Sequence, residues 1–151
     1  MITASHDSIP HRVATVQAAL GRCVLLYQAN EQLLKLILPH VRATAREALE
    51  IGQVDWRELL DSKKTMGQLV GLLFERTSST SGESLASWLK TVVAQRNEVI
   101  HHFYDQAFAS LRTEENAHDA MRFLHDREVA AAHLLKLLQA LAQGAFRDDV
   151  D

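Results

Sequence analysis

From Leu85 to Leu111 apolar side chains return at helical rather than strand spacing, and one cation interrupts them. With Arg96 at zero and about 100° per residue, Trp88, Val99, Val92, Leu85, Phe103, Leu89, Ala107, Ile100 and Val93 fall between roughly −80° and +60°. Arg96 sits in the middle of that stripe, and Thr91, Gln95, Glu98 and His102 take the other side. A buried charge without a partner is strongly destabilising even after relaxation. The stretch is therefore expected to be one helix whose arginine has a reason to be there.

Two readings meet that requirement. In one, Arg96 pairs with a carboxylate from another helix, or its stem covers the core while the guanidinium reaches water. In the other, the neighbours matter: Asn97 and His101 are one turn apart on the same flank, at about +100° and +140°, along the edge of the groove that Arg96 enters. An Arg, an Asn and a His then converge on one small site. Arg96 and His101 themselves are about 140° and roughly 7.5 Å of rise apart, so a single helix is expected to point them divergently. Two copies facing across a dimer axis would bring them together.

The remainder of the chain reads as helices too. Ser8 is a plausible N-cap, with Pro10 tolerated in the first turn, for a helix to about Leu38. Its apolar residues cover more than one narrow stripe, which suggests burial on two sides. Pro39 is expected to kink or restart it, with continuation through Val41, Ala45 and Leu49 to a stop at Gly52. Asp55 to Leu60 reads as a short helix or turn carrying Trp56 and Leu59. Thr65 and Gln68 have capping-box spacing ahead of a helix ending near Arg76. Thr77 to Ser84 contains no apolar residue and reads as a loop. Thr113, followed by Glu114 and Glu115, starts the last helix, and Gly144 is expected to close it.

With only 6 Gly and 2 Pro, and no strand-period alternation longer than three or four residues, the fold is expected to be all-α. The 151 residues amount to one domain, 1–151, arranged as a four-to-five-helix up-down bundle, and surplus apolar surface suggests a symmetric dimer. A net charge of −3 argues against indiscriminate nucleic-acid binding and requires any such contact to be focused. The single Cys23 excludes an internal disulfide and reads as an inert core thiol. The first residues lack the basic and apolar regions of a signal peptide, so the cytoplasm is the expected location, and no run is long enough for a membrane span.

Other chemical signals are weaker. The chain has 8 His but neither a His-x-x-x-His pair nor a His-Glu-x-x-His, and the spacing of His118, His125 and His133 is that of one face of the last helix, so no metal is expected. Gly67 and Gly71 lie within a helical pattern rather than a phosphate-binding loop. No cofactor is expected.

Arg96-Asn97-x-x-x-His101, in the penultimate long helix of a small all-α chain, resembles the Arg-x4-6-His motif of the HEPN superfamily, where a polar residue often follows the Arg. The resemblance implies a metal-independent endoribonuclease, of the kind found in toxin–antitoxin and phage-defence systems, with its site formed across a homodimer interface. It implies Arg96 and His101 as catalytic residues, Asn97 as a supporting one, RNA as substrate, and a cognate antitoxin, either a nucleotidyltransferase or a small protein. One branch carries a Tyr two residues after the His as the target of such a nucleotidyltransferase. Here that place is Phe103 with Tyr104 beside it, and Tyr104 and His102 join Asn97 as supporting positions. Some family members have no catalysis, which leaves a helical module that binds a nucleotide or a protein partner as the alternative.

The chemistry is coherent without the name. Metal-free RNA cleavage needs a base for the 2′-hydroxyl, an acid for the leaving oxygen and a cation on the phosphorus centre, and it leaves a 2′,3′-cyclic phosphate. Histidine suits the first two roles, and a permanently charged, fork-shaped guanidinium suits the third.

Overall fold

The computed structural model describes residues 8–37 and 82–147. Three long helices occupy them: α1 (Ile9–Ile37), α2 (Gly82–His101) and α3 (Glu114–Arg147), with a short 3-10 turn at Phe103–Asp105 after α2. There is no strand among the described residues, so the all-α expectation holds. The expected kink at Pro39, the stop at Gly52, the short element around Trp56 and Leu59, the Thr65–Arg76 helix and the loop from Thr77 to Ser81 lie outside the described residues.

α1 begins as its sequence indicates. The Ser8 carbonyl accepts from the N–H groups of His11 and Arg12, at 2.9 and 3.1 Å, which closes the first turn around Pro10. Val16, Ala19, Cys23, Tyr27, Asn30, Leu34 and Ile37 are buried, spaced three and four residues apart. Half-buried Leu20, Val24, Leu26 and Leu33 flank them. Burial is therefore one broad face rather than two sides: Leu25 and Leu36, at 66% and 47% exposure, remain on the outside.

That face meets α3, in the most extensive contact among the described helices. Ala19 faces a helix whose own buried residues include Ala117, Ala120 and Ala131. Small residues at a crossing let two helix axes approach, and polar side chains of α1 then reach the α3 backbone. The Cys23 thiol donates to the Leu124 carbonyl at 3.2 Å, the Tyr27 hydroxyl to that of Arg127 at 3.5 Å, and the Asn30 amide to that of Ala131 at 3.0 Å. Partner numbers rise together along the seam, so α1 and α3 run parallel in a fixed register. Burial pushes the Cys23 thiol up from 9.0 to about 11, with a contribution from Glu128, and it drives the Tyr27 hydroxyl upward as well. Both stay protonated, as donors must, and Cys23 is the inert core thiol expected of it.

α2 packs against both neighbours. Its Glu98 meets Arg127 and the following Phe103 meets Phe123, so partner numbers on α3 fall as those on α2 rise, and the two helices are antiparallel. Leu89, Val92 and Val99 of α2 are buried in the shared core.

The single helix expected over 85–111 is broken after His101. His102 leaves helical geometry at φ −125° and ψ 16°, and the chain then passes through the 3-10 turn and a run of turns. The reason lies in packing. Turning back lets Phe103, Phe108 and Phe123 form one aromatic cluster, with ring centroids 5.1–6.3 Å apart. It also brings Leu111 into the core at 7% exposure, with its backbone in the left-handed region at φ 51°. A leucine is strained there, and the burial of its side chain offsets that strain.

Thr113 caps α3 as expected: the Asn116 N–H donates to its hydroxyl oxygen at 3.0 Å. Two boundaries differ from expectation. Gly82 to Ser84 are already helical, because a polar run opening a helix looks like the end of a loop. α3 continues through Gly144 to Arg147, since glycine weakens a helix but stops it only when its backbone turns left-handed.

Candidate active site

The last turns of α2 carry the site. Arg96 projects from α2 toward α1, where its Nε and Nη2 donate to the same carboxylate oxygen of Glu31, at 3.1 and 2.9 Å. Both side chains are largely buried, 13% and 18% exposed, so the charges stabilise each other away from bulk water. This is the interhelical carboxylate that the position of Arg96 called for.

The other end of the guanidinium meets the predicted site residues. Arg96 Nη1 donates to Asn97 Oδ1 at 3.2 Å and lies 3.2 Å from His101 Nε2. The two readings of Arg96 therefore coexist: one edge is a structural ion pair and the other faces an exposed Asn and His. The divergence expected from a bare helical wheel does not occur, because the arginine stem is long enough to swing its head along the flank to the end of α2. Arg96, Asn97 and His101 converge within one chain.

Chemically, a guanidinium nitrogen only donates, so His101 Nε2 receives this contact through its lone pair and the neutral ring carries its proton on Nδ1. The cluster thus holds a permanent cation, a neutral imidazole and a carboxylate that balances the cation.

His102 and Tyr104 are not brought into it. The His102 ring donates through Nδ1 to Asp105 Oδ2 at 2.9 Å, with both side chains exposed, and its ring is edge-on to that of His101 at 6.3 Å between centroids. Tyr104 is 84% exposed and touches the edge of the Phe103 ring. His118, His125 and His133 all lie on the exposed surface of α3. Among the described residues no group of three or more His, Cys, Asp or Glu is placed to hold a metal ion.

Two ion pairs made from within this stretch, by Arg96 and by Glu98, fix α2 in place. Glu98 pairs with Arg127 of α3, whose guanidinium also lies 3.4 Å above the Phe123 ring centroid and donates to the Phe123 carbonyl. Arg96 is thus held by α1, and Glu98 by α3. A separate hollow of about 380 Å³ lies near the starts of α1 and α3, lined by Arg12, Thr15, Glu114, His118 and Met121 among others. Arg12 already spans it to Glu114 at 3.6 Å, so it presents no net charge to a ligand.

Glu31 is the site residue that sequence reasoning did not name. Its signal was faint: Asn30, Glu31 and Gln32 form a polar stretch within α1, and Asn30 proves to be on the buried face.

No protein-family model, curated protein or solved structure matches this chain.

Proposed function

We propose that the chain is a metal-independent endoribonuclease of the HEPN type, in which Arg96 binds the scissile phosphate and His101 acts on the 2′-hydroxyl. The observation carrying this reading is the meeting of Arg96 Nη1 with Asn97 and His101, 3.2 Å from each, at the exposed end of a helix. His101 Nε2 takes the 2′-proton, the 2′-oxygen attacks phosphorus, and the 5′-oxygen departs with a proton from a second imidazole. A positioned histidine contributes about 10²–10⁴-fold to such a proton transfer. Asn97 orients the guanidinium, and Arg96 stabilises the charge that develops on the phosphoryl oxygens.

A homodimer supplies the second imidazole by placing two copies of the site in one cleft. Tyr104 favours docking at this end: a large amphipathic ring 84% exposed, in the turn that follows His101, suits the centre of an interface. The resemblance extends the proposal to a toxin or phage-defence role with a cognate antitoxin, an assignment that a neighbouring reading frame for a nucleotidyltransferase or small antitoxin would support. No described helix is long and apolar enough to cross a membrane.

The test is cleavage of a broad RNA panel, with product ends analysed. Arg96→Ala and His101→Ala should each reduce cleavage by orders of magnitude with helicity intact, and products should end in 2′,3′-cyclic phosphate. One observation favours a second reading, a non-catalytic module that binds a nucleotide or a protein partner: the Glu31 pair is what a purely structural arginine makes. Wild-type protein that leaves every RNA intact, with Arg96→Ala costing about 3–5 kcal/mol of stability through the stranded Glu31 charge, would select that reading.

A further inference from the structure

We infer that Glu31 is a positioning residue that holds Arg96 in a self-satisfied resting state, and that phosphate binding exchanges for His101 on the guanidinium and so uncovers the imidazole lone pair. This deepens the proposed function and rests on it for the chemistry of the freed imidazole. The exchange itself needs only an anion at Arg96.

A guanidinium has five N–H donors in a fixed plane. Nε and one Nη2 hydrogen point at Glu31, and Nη1 serves Asn97 and His101, so four contacts within the chain leave one Nη2 hydrogen over. The edge formed by Nε and Nη2, the usual side-on seat for an oxyanion, is taken by a carboxylate that is itself largely buried. Glu31 cannot swing away cheaply. It follows Asn30, whose amide is anchored to the Ala131 carbonyl in the α1–α3 seam, and removing the carboxylate would strand a buried cation.

A phosphodiester is therefore confined to the end-on edge, where the remaining Nη2 hydrogen lies beside an Nη1 hydrogen. Bidentate capture there requires Nη1 to release one of its two present acceptors. A charged phosphate oxygen outcompetes either neutral acceptor for a cationic donor, and His101, five residues along the chain, is the one displaced while Asn97, adjacent to Arg96, is kept. His101 Nε2, occupied by Arg96 in the resting state, is thereby left with a free lone pair next to the bound phosphate, where a base for the 2′-hydroxyl has to be. Glu31 dictates which edge is offered, and it also cancels the charge of Arg96, so the resting site attracts anions less than a bare arginine does.

Three measurements on the full chain test this. Titrating wild-type protein with inorganic phosphate, or with a dinucleotide lacking the 2′-hydroxyl, should move the His101 Nε2 nitrogen resonance away from its Arg96-bonded position. Glu31→Gln should bind phosphate several-fold more tightly, since a neutralising charge is gone, yet lower kcat by about tenfold or more, since an ionic hydrogen bond that orients Arg96 is lost. Glu31→Asp, which keeps the charge on a shorter stem, should retain wild-type phosphate affinity while losing kcat, and it serves as the folded comparison if Glu31→Gln is unstable. A role confined to stability would not produce tighter binding together with slower turnover. A His101 resonance indifferent to saturating phosphate, or glutamine and aspartate variants with wild-type kcat and affinity, would overturn the inference. Should wild type cut no RNA while phosphate still displaces Arg96 from His101 and Glu31→Gln still binds it more tightly, the exchange stands and the nuclease reading falls.

Discussion

Glu98 of α2 and Arg127 of α3 form an ion pair in which the arginine does more than meet a charge. Its guanidinium stacks on Phe123 at 3.4 Å from the ring centroid and donates to the Phe123 carbonyl. Arg127 is 16% exposed and Glu98 42%, so solvent screens the Coulombic part of the pair. Arg127→Ala should therefore cost about 2 kcal/mol, mostly through lost stacking and packing, and Glu98→Ala less than about 1 kcal/mol. Urea unfolding of the two variants checks this, and equal losses would mean that the ion pair dominates.

Activity should survive chelation. Cleavage by an arginine and a histidine needs no divalent ion, so RNA cleavage in excess EDTA should match that in untreated buffer. Loss of cleavage with recovery on adding magnesium or manganese would require a carboxylate site instead.

The dimer and the site should fall together. Leu25 and Leu36 are also exposed, but they lie about 120–140° around α1 from Glu31, so an interface built on them would not join two copies of the site. Tyr104→Ser should shift light scattering from a dimer toward the 16.9 kDa chain and reduce cleavage, whereas Leu25→Ser should do neither. A wild-type monomer at low micromolar concentration would remove the second imidazole from the mechanism.

The Cys23 thiol provides a pH signature. Its value is raised from 9.0 to about 11 by burial, so folding favours the protonated form. The corresponding stability is fully present below about pH 9 and is lost as pH rises toward 11, because the unfolded thiol ionises first. Wild-type protein should show this alkaline decline more steeply than Cys23→Ala. Native Cys23 should also resist thiol reagents until the chain unfolds. Rapid labelling of the folded protein would contradict its burial.

At Leu111 the usual ranking of substitutions should invert. Glycine ordinarily destabilises more than alanine, but at φ 51° alanine keeps the backbone strain that glycine relieves. Both lose the buried side chain. Leu111→Gly should therefore be less harmful than Leu111→Ala by about 1 kcal/mol in chemical denaturation.

What sequence reasoning recovered depended on whether a feature is local. Ser8, Pro10 and Thr113 mark helix starts through chemistry within one turn, and both starts stand where those residues put them. The break after His101 was not legible, because residues 102–113 contain neither Gly nor Pro and the buried Phe103 and Leu111 fall on the same spacing a continuous helix would use. Arg96 announced that it needed a carboxylate. Which one was beyond a helical wheel, since Glu31 is 65 positions away and is selected by the α1–α2 crossing. The convergence of Arg96 with His101 escaped for a different reason: angles measured at Cα ignore the reach of a long side chain.

The parallel seam between α1 and α3 has a kinetic consequence. Cys23 with Leu124 and Asn30 with Ala131 each join residues 101 apart in sequence, an unusual separation for the main contact of a helical protein, most of whose contacts are local. Bringing α1 to α3 closes a loop of about two thirds of the chain before the contact returns any free energy. Refolding should accordingly be slow for an all-helical chain of this size. During synthesis α1 has to wait, its apolar face without its partner, until α3 has emerged.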